Sequence, residues 1–396
     1  MTKITWEPGR IFIEAPTGSE KFICKVFGVS SVSPAIKYKF RSLSELADIA
    51  KSLYKEIVKG KRFAIRCRRV GNHPFTSLDV AKIVGDALRP FSIGVDLTNP
   101  DIEIFIEIRD WDAYFFTEKI RGPGGLPIGS DGYVLSLFSG GYDSPVASWL
   151  MMKRGCRVDF LHLMLGSWES VYRAFIVAKK LCSEWCHGYD PKFLVLNFGN
   201  VLAKIRNSLR ERYWQVALRR AMYIAANIVA KSRGYDAVVT GESLGQASSQ
   251  TIWNLVICEK GLEIPIFRPL ISMDKEEIIE LSRKIGTYNE SSKVIEYCAI
   301  VTGAAATRVN EHVFLEEFEK ANIREEIEKS INELMVYDLK TLKAEDLLPS
   351  EDLEIDFIPE DAIVIDMRSR SEREKAPIPR AYTISDIGNE LIGKVV

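Results

Sequence analysis

One short stretch restricts the fold of this chain more than any other. The apolar run at 133–138 is followed at once by Ser139-Gly140-Gly141-Tyr142-Asp143-Ser144, and Pro145 comes next. The run predicts a buried strand, the glycines predict a tight turn, and Asp-Ser-Pro predicts the first turn of a helix. Main-chain N–H groups at such a turn point towards an anion. The stretch is not a Walker loop, because no Lys-Ser/Thr follows the glycines.

The composition excludes several classes of protein. A chain of 396 residues with 46% hydrophobic and 27% charged residues predicts about two to four globular domains. No apolar run reaches the roughly 18 residues of a membrane span, and the N-terminus lacks a signal-peptide pattern. We therefore expect a cytoplasmic protein with no membrane partner. The seven cysteines show no Cys-x-x-Cys spacing, which favours small buried side chains over a zinc site.

Charge is distributed unevenly along the chain, although the net charge is only −1. Residues 55–72 hold seven basic side chains and one acidic side chain, whereas residues 311–360 hold sixteen acidic and five basic ones. This asymmetry predicts one anion-binding module. Residues 62–69 alternate as a strand does, with Phe63, Ile65 and Cys67 on one face and arginines on the other.

The periodicity predicts two regions of different architecture. Residues 45–119 combine two helical patterns with alternating strands, as in a small mixed α/β module with an arginine-bearing sheet face. After the Gly/Pro-rich stretch at 122–129, strands are expected near 133–138, 157–165, 193–198, 235–240 and 264–268, with helices between them. This rhythm predicts a parallel sheet, which binds ligands at the carboxyl ends of its strands.

The motif Ser-Gly-Gly-x-Asp-Ser resembles the signature of the PP-loop ATP pyrophosphatases, which cleave ATP to AMP and pyrophosphate. The resemblance implies that the chain adenylates a substrate. A carboxylate at Asp143 cannot attract phosphate directly, so it favours Mg²⁺ held against the pyrophosphate oxygens. The glycine-rich, polar run 240–250 favours a nucleotide wall over a surface loop. Lys275 occupies the first turn of a helix, where the macrodipole disfavours a cation, so it predicts a phosphate partner.

Taken in order, the segments 62–85, 122–148, 239–250 and 268–298 resemble the tRNA 4-thiouridine synthetases, also called tRNA sulfurtransferases. The resemblance implies an α/β fold in which a small mixed α/β THUMP module, an RNA-binding domain, precedes a parallel-sheet PP-loop domain. It also implies ATP-dependent transfer of sulfur to tRNA. In this family, O4 of the uridine at position 8 is adenylated and then replaced by sulfur to give 4-thiouridine.

The resemblance also implies roles for individual residues. Asp143 and Lys275 match residues that the family needs for adenylation with ATP and Mg²⁺. Cys298, which by itself favours a buried structural thiol, matches a cysteine that joins a disulfide during turnover in bacterial members. The implied ATP-binding residues are Leu137, Phe138, Ser139, Gly140, Gly141, Ser144, His162, Leu163, Arg219, Gly241 and Gln250. The implied tRNA-binding residues, which would track tRNA phosphates on and beside the arginine face, are Lys61, Arg62, Arg66, Arg68 and Arg69.

The expected domain order has six parts. They are an incomplete N-terminal ferredoxin-like segment (1–44), a THUMP domain (45–119), a Gly/Pro linker (120–130), a PP-loop domain (131–310), an acidic helical linker (311–355) and a rhodanese-like fragment (356–396). The last part lacks the persulfide cysteine, because no cysteine follows Cys298. Val301 leaves no Cys-x-x-Cys for an iron–sulfur cluster. We therefore expect a separate persulfide donor or free sulfide, and a weakened link to thiamine (thiazole) synthesis.

Two alternatives stay open from the sequence. The first is another PP-loop enzyme that adds ammonia or lysine, against which the THUMP-like module and the lack of a glutaminase domain count. The second is a catalytically lapsed tRNA-binding protein, against which Asp143, Lys275 and Cys298 count. The sequence leaves the oligomeric state open, with a homodimer as one option.

Overall fold

The computed structural model of the chain describes residues 2–247, 249–294 and 306–347, together with residues 364, 366, 373, 378, 381 and 382. The chain divides into two compact units, Met1–Leu348 and Pro349–Val396. In the second unit, the Asp366 N–H donates to the Tyr382 carbonyl and the Tyr382 N–H donates to the Val364 carbonyl, both at 2.8 Å. Most of the predicted rhodanese-like fragment lies outside the described residues.

The first part of the larger unit is built mainly of strands. Its elements are β1 (Lys3–Glu7), β2 (Arg10–Glu14), α1 (Glu20–Ile23), β3 (Ser31–Val32), β4 (Ile36–Lys39), α2 (Leu43–Tyr54), β5 (Arg62–Val70), α3 (Ser77–Leu88), β6 (Gly94–Val95), β7 (Ile102–Arg109), β8 (Asp112–Phe116) and β9 (Ile120–Arg121). A five-stranded sheet forms in the order β4-β8-β7-β5-β6. Its inner face carries buried Phe63, Ile65, Ile104 and Ile106, as the alternation of both strands predicts.

The N-terminal segment does not stand apart from this sheet. β4 pairs antiparallel with β8, so part of segment 1–44 belongs to the sheet itself. The β1–β2 hairpin lies against the other side, where Phe12 stacks on Tyr114 with ring centroids 4.6 Å apart. The Gly/Pro stretch is also fixed, because the Gly28 N–H donates to the Gly124 carbonyl (2.8 Å) and the Leu126 N–H donates to the Lys153 carbonyl (3.0 Å).

The second part alternates strands and helices. Its elements are β10 (Tyr133–Leu137), α4 (Asp143–Lys153), β11 (Arg157–Met164), α5 (Trp168–Trp185), β12 (Lys192–Asn197), α6 (Gly199–Ser208), α7 (Trp214–Arg233), β13 (Ala237–Val239), α8 (Ile252–Glu259), β14 (Ile266–Phe267), α9 (Lys275–Ile285), α10 (Tyr288–Ser291), α11 (Glu311–Lys320), α12 (Ile323–Asn332) and β15 (Met335–Asp338). Short 3₁₀ turns occupy 89–91, 211–213 and 344–347. Within the described residues, no helix is both long and apolar enough to cross a bilayer.

These strands form a six-stranded sheet in the order β14-β13-β10-β11-β12-β15, and the first five are parallel, as predicted. Helices α4, α5 and α9 pack on one face, and α6, α7, α8, α11 and α12 pack on the other. The chain order reverses beside β10, because β11 and β12 lie on one side of it and β13 and β14 on the other. The crevice at the carboxyl ends of β10 and β13 is therefore the topological switch point, where such sheets bind ligands.

The sequence predicts an acidic helical linker over 311–355, and the described part of it, 311–347, contains α11, α12 and β15. Phe314, Phe318, Ile323 and Ile327 are buried in the same core as residues of α6, α7 and the sheet. β15 then pairs antiparallel with β12 and closes that edge. The acidic residues occupy the solvent side of two amphipathic helices. The apolar side of each helix packs into the core although the segment is acidic as a whole.

Candidate active site

The Ser-Gly-Gly turn is fixed by contacts that only glycine permits. Gly140 has φ +85°, and a Cβ at this position would lie 2.8 Å from the Cα of Ala174 in α5. The Gly140 N–H donates to Ser144 Oγ at 3.2 Å, and the Gly141 N–H donates to Ser139 Oγ at 3.3 Å. The turn leads directly into α4, which begins at Asp143. Strand, turn and helix therefore meet as the sequence predicts.

The loop that follows β13 packs directly on this turn. A Cβ on Gly241 would lie 2.8 Å from the carbonyl carbon of Asp143 and 2.9 Å from the Ser144 nitrogen. Both of these are backbone atoms, so a larger residue would force the two loops apart. Two motifs about 100 residues apart in the chain thus form the two walls of one crevice at the switch point.

Asp143 and Lys275 face each other across the mouth of this crevice. Lys275 Nζ lies 3.4 Å from Asp143 Oδ1, and Gln246 Nε2 donates to Asp143 Oδ2 at 3.1 Å. Lys275 Nζ also lies 5.3 Å from the ring centroid of Tyr142, which stacks on Tyr288. The side chains of Lys275 and Asp143 are 36% and 24% exposed, so both can exchange partners with a ligand.

The first turn of α9 is arranged to tolerate Lys275. Asp274 caps the helix, since it accepts from the Glu277 N–H at 2.9 Å, and Glu277 accepts from the Asp274 N–H at 3.0 Å. These carboxylates, with Glu276, supply the negative charge that a helix N-terminus favours. The macrodipole is therefore no argument for a phosphate partner at Lys275. The argument for such a partner is instead the position of Lys275 opposite Asp143.

A buried carboxylate organises the wall behind the crevice. The Glu242 side chain is 6% exposed and accepts hydrogen bonds from Arg219, Tyr223, Thr240 (2.9 Å) and Arg268 (2.8 Å). Burial raises the pKa of Tyr223 to about 12, so its hydroxyl is a donor at neutral pH. These bonds join α7, the end of β13 and the residue after β14. Ser243 extends the wall, because its Oγ donates to the Met273 carbonyl at 2.5 Å.

Two buried polar atoms on this wall lack a partner within the described part of the chain. They are Arg219 Nε, a donor, and Gln250 Oε1, an acceptor. Buried polar atoms are nearly always hydrogen-bonded in folded proteins, so an unpartnered donor on α7 and an unpartnered acceptor on the loop after β13 favour a ligand at this wall. Both residues belong to the ATP-binding set that the sequence implies.

The His162 side chain is held inside the protein at the strand ends where the resemblance implies contact with ATP. Its imidazole is buried, Nδ1 donates to the Phe138 carbonyl at 2.9 Å, and Nε2 lies 3.4 Å from Ser170 Oγ. Burial lowers the pKa of His162 to about 4, so the ring is neutral at pH 7. The side chain therefore braces the ends of β10 and β11, and only the main chain here is left for a ligand. Leu137 and Leu163 are half-buried at the same strand ends.

The arginine face of β5 lies on the five-stranded sheet, away from this crevice. Carboxylates neutralise part of its positive charge. Arg66 Nε lies 2.7 Å from Glu103, and Arg62 Nη1 lies 3.4 Å from Asp96. Arg69 Nη1 lies 3.0 Å from His73 Nδ1. Lys61 and Arg68 are exposed and have no ion-pair partner among the described residues. Arg69 pairs with no carboxylate among these residues either, so Lys61, Arg68 and Arg69 are the cations of this set that remain available to an external anion.

Two further expectations concern sulfur and metal. Cys298 lies outside the described residues, so the site described above does not include it. Of the cysteines that are described, Cys156, Cys182, Cys186 and Cys258 are buried and free, as the sequence favours. Within the same residues, no group of three or more His, Cys, Asp or Glu side chains is arranged to hold a metal ion.

Sequence reasoning missed several residues of this site. Glu242 was included only as part of a polar loop, and Arg268 only as the start of a matching stretch. A charged residue directly after a buried strand and a glycine is a signal that could have identified Glu242. Gln246, Tyr142 and Tyr288 carry no comparable local signal. Gln246 reaches Asp143, Tyr142 lies beside Lys275 and Tyr288 stacks on Tyr142 only in the folded chain.

Comparison with known proteins matches both regions of the chain. Residues 129–323 match the family described as Thiamine biosynthesis protein (ThiI), and residues 40–118 match the THUMP domain. The THUMP match starts upstream of residue 45, near β4, which pairs into that sheet.

Several relatives are similar over most of the chain. The tRNA sulfurtransferase of Desulfurococcus amylolyticus is 45% identical over 378 residues, which are 95% of this chain and 78% of the relative. That of Pyrobaculum aerophilum is 42% identical over 380 residues, with the same two coverages. The probable tRNA sulfurtransferase of Sulfurisphaera tokodaii is 48% identical over 80% of this chain and 85% of its own length.

Two solved structures share the fold. A 4-thiouridine synthetase in complex with RNA and bound ATP superposes with a TM-score of 0.76 at 25% identity, covering 85% of this chain and 90% of that one. The protein PH1313 from Pyrococcus horikoshii superposes with a TM-score of 0.54 at 26% identity, covering 72% of this chain and 87% of that one.

Proposed function

The chain belongs to the tRNA sulfurtransferase family, and on this premise we propose that it transfers sulfur to tRNA in an ATP-dependent reaction. The assembly of Asp143, Lys275 and Gly241 at the switch point of the parallel sheet carries the proposal. A lapsed binding protein has no need to keep these groups together. The relatives named as tRNA sulfurtransferases and the RNA- and ATP-bound structural neighbour support the same substrates.

The crevice suits a nucleoside triphosphate. The N–H groups of Gly140 and Gly141 make long bonds to serine side chains, which phosphate oxygens can replace. Arg219 Nε offers a donor and Gln250 Oε1 an acceptor, which match the acceptor and amino groups of a nucleotide. ATP therefore satisfies atoms that the protein leaves without partners.

We infer a reaction in two steps. O4 of the target uridine, which loses its N3 proton, bonds to the α-phosphorus of ATP as the bond to pyrophosphate breaks. With sulfide as donor, HS⁻ then attacks C4, AMP leaves and 4-thiouridine forms. Adenylation is needed because a carbonyl oxygen is a poor leaving group, whereas AMP is a good one. Lys275 can move from Asp143 to a phosphate oxygen and stabilise the departing pyrophosphate.

Asp143 is the residue that would hold Mg²⁺. A single carboxylate fits an ion whose other ligands come from the nucleotide, since the described residues offer no complete metal cage. When bound, the ion supplies neutralisation of the charge on pyrophosphate. The THUMP region would hold the tRNA through Lys61 and Arg68. Sulfur would come from a separate persulfide carrier or from sulfide.

Labelled ATP and nucleoside mass spectrometry together test this function. The full chain with MgATP, sulfide and a tRNA transcript should release pyrophosphate and yield 4-thiouridine, both dependent on the transcript. A transcript with cytidine at position 8 is the matched control and should yield no thiolated uridine. Absence of pyrophosphate, or an amidated product in place of a thiolated one, would overturn the proposal.

A further inference from the structure

The two oxygens of Glu242 serve different groups. Oε1 accepts from Arg219, whereas Oε2 accepts from Tyr223, Thr240 and Arg268. Arg268 has a second carboxylate, because its Nη1 lies 2.5 Å from Glu259. Oε1 is therefore the oxygen that pairs with the Arg219 guanidinium. Oε2 holds the carboxylate in place through its other three donors.

The Arg219 guanidinium is held at two of its three nitrogens. Nη1 donates to Glu242, and Nη2 donates to Ser249 Oγ at 3.1 Å. Nε has no partner within the described residues, although it is buried. A planar guanidinium fixed at both terminal nitrogens keeps its remaining N–H in one direction. Without Glu242, the long arginine side chain would regain rotamer freedom that ligand binding must then remove.

We propose that Glu242 is a positioning residue that sets nucleotide affinity through Arg219 without touching the nucleotide. This inference rests on the proposed function, because it takes the ligand of Arg219 to be ATP. Glu242 would be required for the geometry of the donor, and its charge would keep the guanidinium at the wall of the crevice. Loss of the Glu242 charge should therefore weaken ATP binding. It should have no such effect once residue 219 can no longer pair with the carboxylate.

A double-mutant cycle on the full chain tests this coupling. MgATP binding is measured by calorimetry for the wild type, Glu242→Gln, Arg219→Met and the double variant. We expect Glu242→Gln to weaken ATP binding at least tenfold, and to add less than twofold in the Arg219→Met background, where no cation is left to pair with the carboxylate. At saturating ATP, the kcat of Glu242→Gln should stay within about threefold of the wild type, so that the loss appears in KM. Additive effects on affinity would overturn the proposal.

Tyr223→Phe and Thr240→Val are matched controls, because neither removes the bond to Oε1. Thr240→Val removes one bond to Oε2, and Tyr223→Phe removes another together with the bond that Arg268 Nη2 donates to the Tyr223 hydroxyl at 2.9 Å. Both should lower the unfolding temperature while leaving the ATP dissociation constant within twofold of the wild type. If either control weakened ATP binding as much as Glu242→Gln does, the effect would be a general structural one and the proposal would be overturned.

Should Glu242→Gln fail to fold, Glu242→Asp keeps the charge but shortens the side chain by one methylene. It should weaken ATP binding severalfold, and wild-type affinity in this variant would contradict the proposal.

The two proposals fail in different ways. A wild-type chain that does not bind MgATP contradicts the ATP site itself. A wild type that binds MgATP, with a Glu242→Gln variant that binds equally well, contradicts only the role of Glu242.

Discussion

Ion pairs of similar length have different surroundings in the wall of the switch-point crevice and on the arginine face. Glu242 and Arg268 lie 2.8 Å apart with side chains 6% and 12% exposed, whereas Glu103 and Arg66 lie 2.7 Å apart with side chains 40% and 39% exposed. Breaking a buried pair leaves an uncompensated charge in a poorly solvated place, whereas water screens an exposed one. The first pair thus fixes geometry, whereas the second costs little to break.

The largest effect should come from breaking the buried pair. Arg268→Met should lower the free energy of unfolding by about 4 kcal/mol, because Glu242 and Tyr223 lose a charged partner. Urea denaturation followed by circular dichroism measures this. Arg66→Met is the matched control and should cost less than about 1 kcal/mol. Equal losses in the two variants would remove the distinction between the two regions.

Asp143→Asn separates chemistry from RNA binding. We expect it to slow tRNA-dependent pyrophosphate release at least about 100-fold, or roughly 3 kcal/mol, because the side chain no longer carries the charge that the metal–pyrophosphate complex needs. Its affinity for tRNA should stay unchanged, since the arginine face lies on another sheet. Filter binding and pyrophosphate release are measured on the same preparation. Normal release would argue against the role of Asp143.

The buried His162 predicts a pH dependence of stability. Its pKa is about 4 in the folded chain and about 6.5 in the unfolded one, so the unfolded state binds more protons between these values. The stabilisation is present above pH 6.5 and is lost as pH falls towards 4. Between pH 7 and pH 5, His162 should contribute a loss of about 2 kcal/mol.

Chemical denaturation at both pH values compares the wild type with His162→Gln, which stays neutral and can still donate to the Phe138 carbonyl. The variant should lose less stability than the wild type on acidification. The same pH dependence in both proteins would mean that the His162 imidazole does not titrate as described.

The smallest effect concerns the arginine face. Arg68→Gln should weaken tRNA binding by roughly 1 kcal/mol and reduce the slope of log affinity against log salt by about 0.7–0.9, as for one lost phosphate contact. The charge-neutral double variant Arg66→Gln/Glu103→Gln is the control and should change the slope less. A larger change in the control than in Arg68→Gln would place the RNA over the Arg66 pair.

Local patterns predicted the elements well. The strand before Ser139, the helix after it, the alternation in β5 and β7 and the parallel strands all follow from residues close together in the chain. For α11 and α12 the pattern predicted helices in an acidic linker but not their place in the core, where Phe314 and Ile327 are buried. The prediction was also incomplete for His162, whose burial the sequence did not reveal, because burial of a side chain depends on neighbours from other elements.

The partners within the site could not be predicted. Arg219 and Glu242 are 23 residues apart, and Asp143 and Lys275 are 132 apart. No spacing rule connects such residues, since their contact depends on strand order, which local propensity does not determine. The family resemblance identified Asp143, Lys275 and Arg219, but not the carboxylate that holds Arg219.

The sequence by itself determined which chemistry is available, because backbone turns, helix starts and strand faces depend on interactions over a few residues. Only the tertiary structure decided which groups act together. The reversal of strand order beside β10 brings the loops of β10 and β13 into contact, and burial then makes the Glu242 network rigid while the Arg66 pair stays solvated. Burial and long-range pairing are properties of the packed chain, and no local stretch of residues contains them.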